Sequence, residues 1–139
     1  MTALCILLAT SIDAFADGLR AKLYRPWTIV LGVLGDGLIL WRLSEWPTFL
    51  TAFVVAGMLV CRLMQEEWWH HPMHHTEGRF DDWHIVKGIR LYAPIIVLMC
   101  LEYGIGWEWL WLPAAGAVVW KVSIRIARWN WHTPWNERD

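Results

Sequence analysis

Residues 47–61 read PTFLTAFVVAGMLVC, fifteen positions without a charged side chain. With its flanks this run predicts a helix over about 47–64. Such a helix can nearly cross a bilayer, whose hydrocarbon core takes about 20 apolar residues to span. Ala52 and Ala56 give it a small-xxx-small face on which another helix can approach closely. Ser44-Glu45-Trp46-Pro47, just before it, reads as a tight turn with a tryptophan at boundary depth.

Towards the N-terminus, a helix is predicted over about 27–43, opened by Pro26, which suits a first helical turn. Asp36 falls near its middle, and Gly32, Gly35 and Gly37 remove side-chain bulk around that aspartate. A basic loop from Arg20 to Arg25 precedes it. The first helix, about 2–19, has eleven residues before its first charge. Asp13 and Asp17 are four apart and share one face of it. It spans if those aspartates lie at its wet end or face protein; otherwise it lies in the interface.

Towards the C-terminus comes the longest polar interruption, EEWWHHPMHHTEGRFDDWHIVK, residues 66–87. It holds five of the six histidines, and 65–81 is expected to be a loop. A helix follows over about 82–104, capped by Asp81 or Asp82 and interrupted by Pro94. Lys87 and Arg90 on its first turns are expected to snorkel to the headgroups. The last helix, about 107–127, carries Trp107, Trp109 and Trp111 at one end and Lys121, Arg125 and Arg128 at the other.

The composition agrees with this patterning. Hydrophobic residues make up 57% of the 139 positions and charged residues 18%, and 13 tryptophans stand against 3 tyrosines and 4 phenylalanines. Tryptophan is favoured where one ring edge is wet and the rest apolar, at the membrane–water boundary. A net charge of −1 gives no support for nucleic-acid binding. Cys5, Cys61 and Cys100 each sit in an apolar run without a CxxC pair, so no disulfide framework is expected. The N-terminus lacks the basic region of a good signal peptide.

If the helices alternate sides, the cations sort. Arg20, Lys22, Arg25, Arg62, Arg79, Lys87, Arg90, Lys121, Arg125, Arg128 and Arg138 share one face, and Arg42 alone of the 12 faces the other. That is the positive-inside pattern, and a soluble bundle has no reason to sort its cations this way. The expected fold is therefore an all-α integral membrane bundle of four or five short, Trp-belted helices in a single domain, 1–139. The expected location is the inner membrane, multi-pass, with the C-terminus and the His-rich loop cytoplasmic.

Two groups carry candidate chemistry. His70 and His74 are four apart, as are His71 and His75, a spacing that metals use on a helix. With Glu66, Glu67, His84, Asp13 and Asp17 nearby, the set suits Fe, Mn or Zn. The competing reading is a titratable membrane-surface element, because Pro72 interrupts a continuous helix and adjacent histidines point apart. The second group is intramembrane. Asp36 and Glu102 lie within apolar helices, where a charge costs about 2.5–3.5 kcal/mol on insertion scales. Such residues serve proton or cation passage, or a hydrogen-bonded helix contact. Asp13, Asp17, His84 and Lys87 are expected to form an interfacial polar cluster joining the first and fourth helices, with His74 and His75 converging on it.

The string His71-Pro72-Met73-His74-His75 resembles a histidine box of the membrane fatty acid desaturases and hydroxylases. In those families such boxes bind a di-iron centre on the cytoplasmic side of a helical bundle. The resemblance covers five residues. Those families use several boxes and about eight histidines, against six here, so their activity is not carried over. Ser11-Ile12-Asp13-Ala14-Phe15-Ala16 resembles the first-helix motif of small bacterial manganese exporters, in which the aspartate belongs to the ion path. This resemblance covers six residues and recurs nowhere downstream.

No nucleophile elbow, phosphate-binding glycine loop or catalytic Cys–His context is present. The expectation is a non-enzymatic membrane component, holin-like or structural, with lipid and a second copy or another membrane protein as partners. The alternative is a metal-binding membrane protein, an oxidoreductase or a cation transporter, using the His/carboxylate cluster.

Overall fold

The computed structural model describes residues 1–19, 25–46, 48–68 and 82–129; for 25, 26, 66–68, 82–84, 128 and 129 it describes the backbone alone. The fold is all-α. Five helices and no strand occur among the described residues: α1 (Thr2–Leu19), α2 (Arg25–Leu43), α3 (Phe49–Trp68), α4 (Asp82–Tyr103) and α5 (Glu108–Trp129).

Local chemistry sets the ends. α3 starts at Phe49, two residues later than the apolar run suggests, because Thr48 and Thr51 form a reciprocal cap. The Thr51 N–H donates to Thr48 Oγ1 at 3.3 Å, and the Thr48 N–H donates to Thr51 Oγ1 at 3.0 Å. Beyond residue 64 the helix runs on to Trp68, carrying Gln65, whose polar side chain has an interior partner. α4 passes through Pro94 and stops at Gly104, which takes φ 58°. There the Gly104 N–H donates to the Cys100 carbonyl at 3.1 Å, an αL cap that a Cβ would strain. α5 opens with a tighter turn, the Leu110 N–H donating to the Trp107 carbonyl at 2.9 Å.

The helices alternate in direction. Thr2 of α1 meets Arg42 at the end of α2, and Arg42 meets Glu102 at the end of α4. Gly18 at the far end of α1 lies against Ala127 near the end of α5. Packing is close for α1 with α2, α1 with α5, and α3 with α4. Contacts between the α1–α2–α5 unit and the α3–α4 hairpin are sparser. A core of Ile6, Ala9, Ile39, Leu43, Leu91, Leu98 and Leu112 lies between them.

α3 does not use Ala52 and Ala56 as its packing face; both are exposed. It turns inward the stripe Thr51, Met58, Arg62 and Gln65, all buried, at helical spacing. Burying a polar group without a partner is costlier than leaving an alanine uncovered, so the polar residues decide the helix's rotation.

Among the described residues, two helices, Thr2–Leu19 and Glu108–Ala127, are long and apolar enough to cross a membrane, and Phe49–Gln65 is a shorter apolar helix.

Candidate functional site

The polar residues of four helices meet inside the bundle. Arg90 is 1% exposed and the centre of the group. Its Nε donates to Gln65 Oε1 of α3 at 2.7 Å, its Nη1 to Asp36 Oδ1 of α2, and its Nη2 to Asp13 Oδ1 of α1. Asp36 takes a second arginine on its other oxygen: Arg62 of α3 donates to Oδ2 through Nε at 3.0 Å and Nη2 at 2.8 Å. Lys87 of α4 closes the far side, with Nζ 3.2 Å from Asp13 Oδ2 and in contact with Asp17 Oδ2. Three carboxylates meet three cations, so the group is balanced in charge.

Its signs are segregated. Asp13, Asp17 and Asp36 belong to α1 and α2; Arg62, Lys87 and Arg90 belong to α3 and α4. Every one of these ion pairs therefore crosses between the α1–α2 pair and the α3–α4 hairpin. At the opposite end of the bundle the arrangement is inverted. There Arg42 of α2 donates to Glu102 Oε1 of α4 at 2.7 Å, and Trp46 Nε1 donates to the same oxygen at 3.2 Å. Arg42 also holds Thr2 Oγ1 at 2.9 Å and pairs with Glu45. Acid faces base at both ends, and the apolar core fills the space between.

Gly32 makes room for this group. A Cβ at Gly32 would stand 2.5–2.8 Å from the guanidinium of Arg62, which lies flat across α2 one turn before Asp36. The guanidinium is fixed by Asp36 and cannot retreat without losing it. Gly32→Ala is expected to destabilise the purified protein by about 1–3 kcal/mol of overpacking, read as a lower thermal midpoint. A midpoint equal to the parent's would show that Arg62 does not need that cradle. Gly35 approaches the Ala9 carbonyl, whereas a Cβ at Gly37 meets nothing within 4 Å.

Asp13, Asp17 and Lys87 come together. Lys87 and Arg90 do not snorkel outward: an aqueous destination and an interior carboxylate are both within reach of such side chains, and Asp13, Asp17 and Asp36 supply the latter. Asp36 pairs with two arginines, one from α3 and one from α4. Glu102 stands apart from this group, at the other end with Arg42. His70, His71, His74 and His75 lie outside the described residues, as do the side chains of Glu66, Glu67 and His84. Among the described residues, no three His, Cys, Asp or Glu side chains are placed to hold a metal ion. Asp13 and Asp17, included in the metal set from sequence, face Lys87 and Arg90 instead, and carboxylates so engaged are poor cation ligands. The same pairing bears on the exporter-like motif, whose aspartate is Asp13.

Arg62 and Gln65 are the members that sequence reasoning placed elsewhere. Their signal was spacing: Met58, Arg62 and Gln65 recur at four and three residues along one face of an apolar helix. Chemically, the group is a set of mutually engaged charges, carboxylates of α1 and α2 against cations of α3 and α4. What it can do is brace helices against one another through charge. In comparisons with protein-family models, curated proteins and solved structures, the chain matches none.

Proposed function

We propose that the chain is a multi-pass membrane protein whose five helices cross the inner membrane, with the C-terminus cytoplasmic, and that it acts as a non-enzymatic membrane component. The observation that carries this reading is an inverted distribution of polarity. Arg90, Asp13, Asp36, Arg62 and Gln65 are buried, while Phe49 is 89% exposed, Leu110 81%, Leu63 72% and Phe53 70%. In water that arrangement leaves apolar side chains solvated on several helices and dehydrates charges at the centre. In lipid the exposed apolar faces carry no hydration cost, and the charges, which have no water to turn to outside, are satisfied by one another inside.

The same logic accounts for α2 and α4, whose charges keep them from resembling free-standing spans. Asp36, Lys87 and Arg90 are satisfied inside, and Arg42 and Glu102 pair at the helix ends. Trp27, Trp41 and Trp107 are exposed at helix ends, the depth at which a boundary belt belongs. A structural role has more support than a pore. Among the described residues, the charged groups within α1–α4 are turned inward and engaged, and Lys121 and Arg125 lie in the C-terminal half of α5, whereas an oligomeric pore needs a polar stripe along the whole of an outer face. Lipid is the first partner, and other copies or other membrane proteins come second.

Extraction and topology test this together. The protein is expected to stay in the membrane pellet after alkaline carbonate. Tags placed in the 44–46 and 104–107 turns are expected to be cut by protease from outside intact spheroplasts, and a C-terminal tag only after lysis. Release by carbonate, or a C-terminal tag cut from outside, overturns the reading. Dye leakage on expression would favour a pore over a structural component.

A further inference from the structure

The cations whose side chains are described fall into two groups. Arg42, Arg62, Lys87 and Arg90 are paired with carboxylates inside the bundle. Lys121 and Arg125 are exposed and make no hydrogen bond or ion pair with any described residue. They stand four apart on α5, so one helix face presents both.

That face is distinct from the one α5 uses for packing. Leu112, Ser123 and Ala127 are buried, and Ser123 Oγ is hydrogen-bonded to Ser11 Oγ of α1 at 2.7 Å. The opposite stripe runs Ala114, Val118, Lys121, Arg125 at helical spacing, and all four are exposed. It is apolar and narrow for its first half and doubly cationic for its second. From Ala114 to Lys121 is about 10 Å along the axis, at about 1.5 Å per residue.

We propose that this stripe binds an anionic phospholipid, its phosphate held between Lys121 and Arg125 and an acyl chain lying along Val118 and Ala114. The proposal rests on the membrane reading above. Two features select a lipid over a free anion. The cations end an apolar track on the same face, which a soluble phosphate would leave uncovered. They also stand on the side of the bundle that the positive-inside pattern gives to the cytoplasmic leaflet, where anionic lipid is found. Arginine supplies a planar pair of donors for phosphate oxygens, and lysine a point charge beside it.

The test uses the full chain reconstituted in vesicles of zwitterionic phospholipid doped with phosphatidylglycerol. Retained lipid is counted by native mass spectrometry after detergent transfer. Preferential retention of phosphatidylglycerol is expected. It should fall about fivefold in Lys121→Gln and again about fivefold in the double variant with Arg125→Gln. The charge-preserving swap Lys121→Arg with Arg125→Lys is expected to keep the preference. Inorganic phosphate added at excess should not displace the lipid; displacement would mean that the site takes a phosphate group without its chain, and would overturn the assignment. Integration into vesicles with no anionic preference would also overturn it while leaving the membrane reading intact. Failure to integrate at all would instead remove the membrane reading.

Discussion

Replacing Arg90 by Met is expected to destabilise the folded chain by about 3–5 kcal/mol, the range for removing one partner from a buried ion pair. The methionine fills much of the same space, so the loss is electrostatic more than steric. What remains is Asp13 short of one of its two cations, Asp36 holding Arg62 alone, and Gln65 Oε1 without its donor, all inside the bundle. In an interior of low dielectric those groups cannot recover water, and the penalty of each is felt in full. Denaturation in mixed detergent micelles should show the folded-to-unfolded ratio falling by about a hundredfold or more. Arg90→Lys is expected to fall between the two, because a single ammonium cannot reach three acceptors on three helices as the guanidinium fork does.

The same network predicts its own rescue. Arg90→Met combined with Asp13→Asn removes one charge of each sign. It leaves Asp36 with Arg62 and Asp17 with Lys87, so the interior stays balanced. The double variant should therefore be more stable than Arg90→Met alone, with a coupling of about 0.5–3 kcal/mol between the two sites. Simple addition of the two single costs would mean that pairing is not what holds these helices. The Arg42–Glu102 pair at the other end is less deeply buried on the Glu102 side, and its loss should matter less.

How much of this was legible before the fold depends on what decides each contact. Asp13 and Asp17 share a face by spacing alone, and Lys87 lies near the start of a helix that must return to the same side. Their meeting needs only topology. Arg90 is different. Three residues further along the same helix, its side chain is long enough for either the headgroups or the interior, and only the depth of Asp36 on another helix decides. Arg62, which the sequence groups with the cations of one face, turns on the same question. α3 shows the converse error: Ala52 and Ala56 form a recognisable small-residue pattern, yet the helix rotates to bury Arg62 and Gln65, since an unpartnered polar group weighs more than a close helix approach. The glycines around Asp36 clear space for different neighbours: Gly35 admits the α1 backbone at the Ala9 carbonyl, Gly32 admits the Arg62 side chain, and Gly37 faces neither. The start of α3 follows from Thr48 and Thr51, a cap in which threonine takes the place that glutamate usually holds.

Gly18→Leu is expected to detach α5 from α1. A Cβ at Gly18 would stand 2.6 Å from the Ala127 Cβ and 3.3 Å from the Ile124 carbonyl oxygen. Neither atom is the tip of a flexible side chain, so only a shift of one helix relieves the contact. α5 packs closely on α1 and little on the other helices, so it has no second support to hold it in place. The readout is a cysteine pair at Ser11 and Ser123, whose hydroxyl oxygens are 2.7 Å apart, in a chain whose own cysteines are replaced by alanine. Side chains that close stand within reach of a disulfide. The pair should cross-link readily in the parent, less in Gly18→Ala, and at least about tenfold less in Gly18→Leu, as overpacking at a helix contact rises with each added group. Gly37→Leu is the control: an added Cβ there meets nothing within 4 Å, so the change in helix propensity is present without the clash, and cross-linking should match the parent. Equal loss in both leucine variants would trace the effect to the helices themselves; loss in Gly18→Leu alone assigns it to the α1–α5 contact that holds the proposed lipid-facing helix on the bundle.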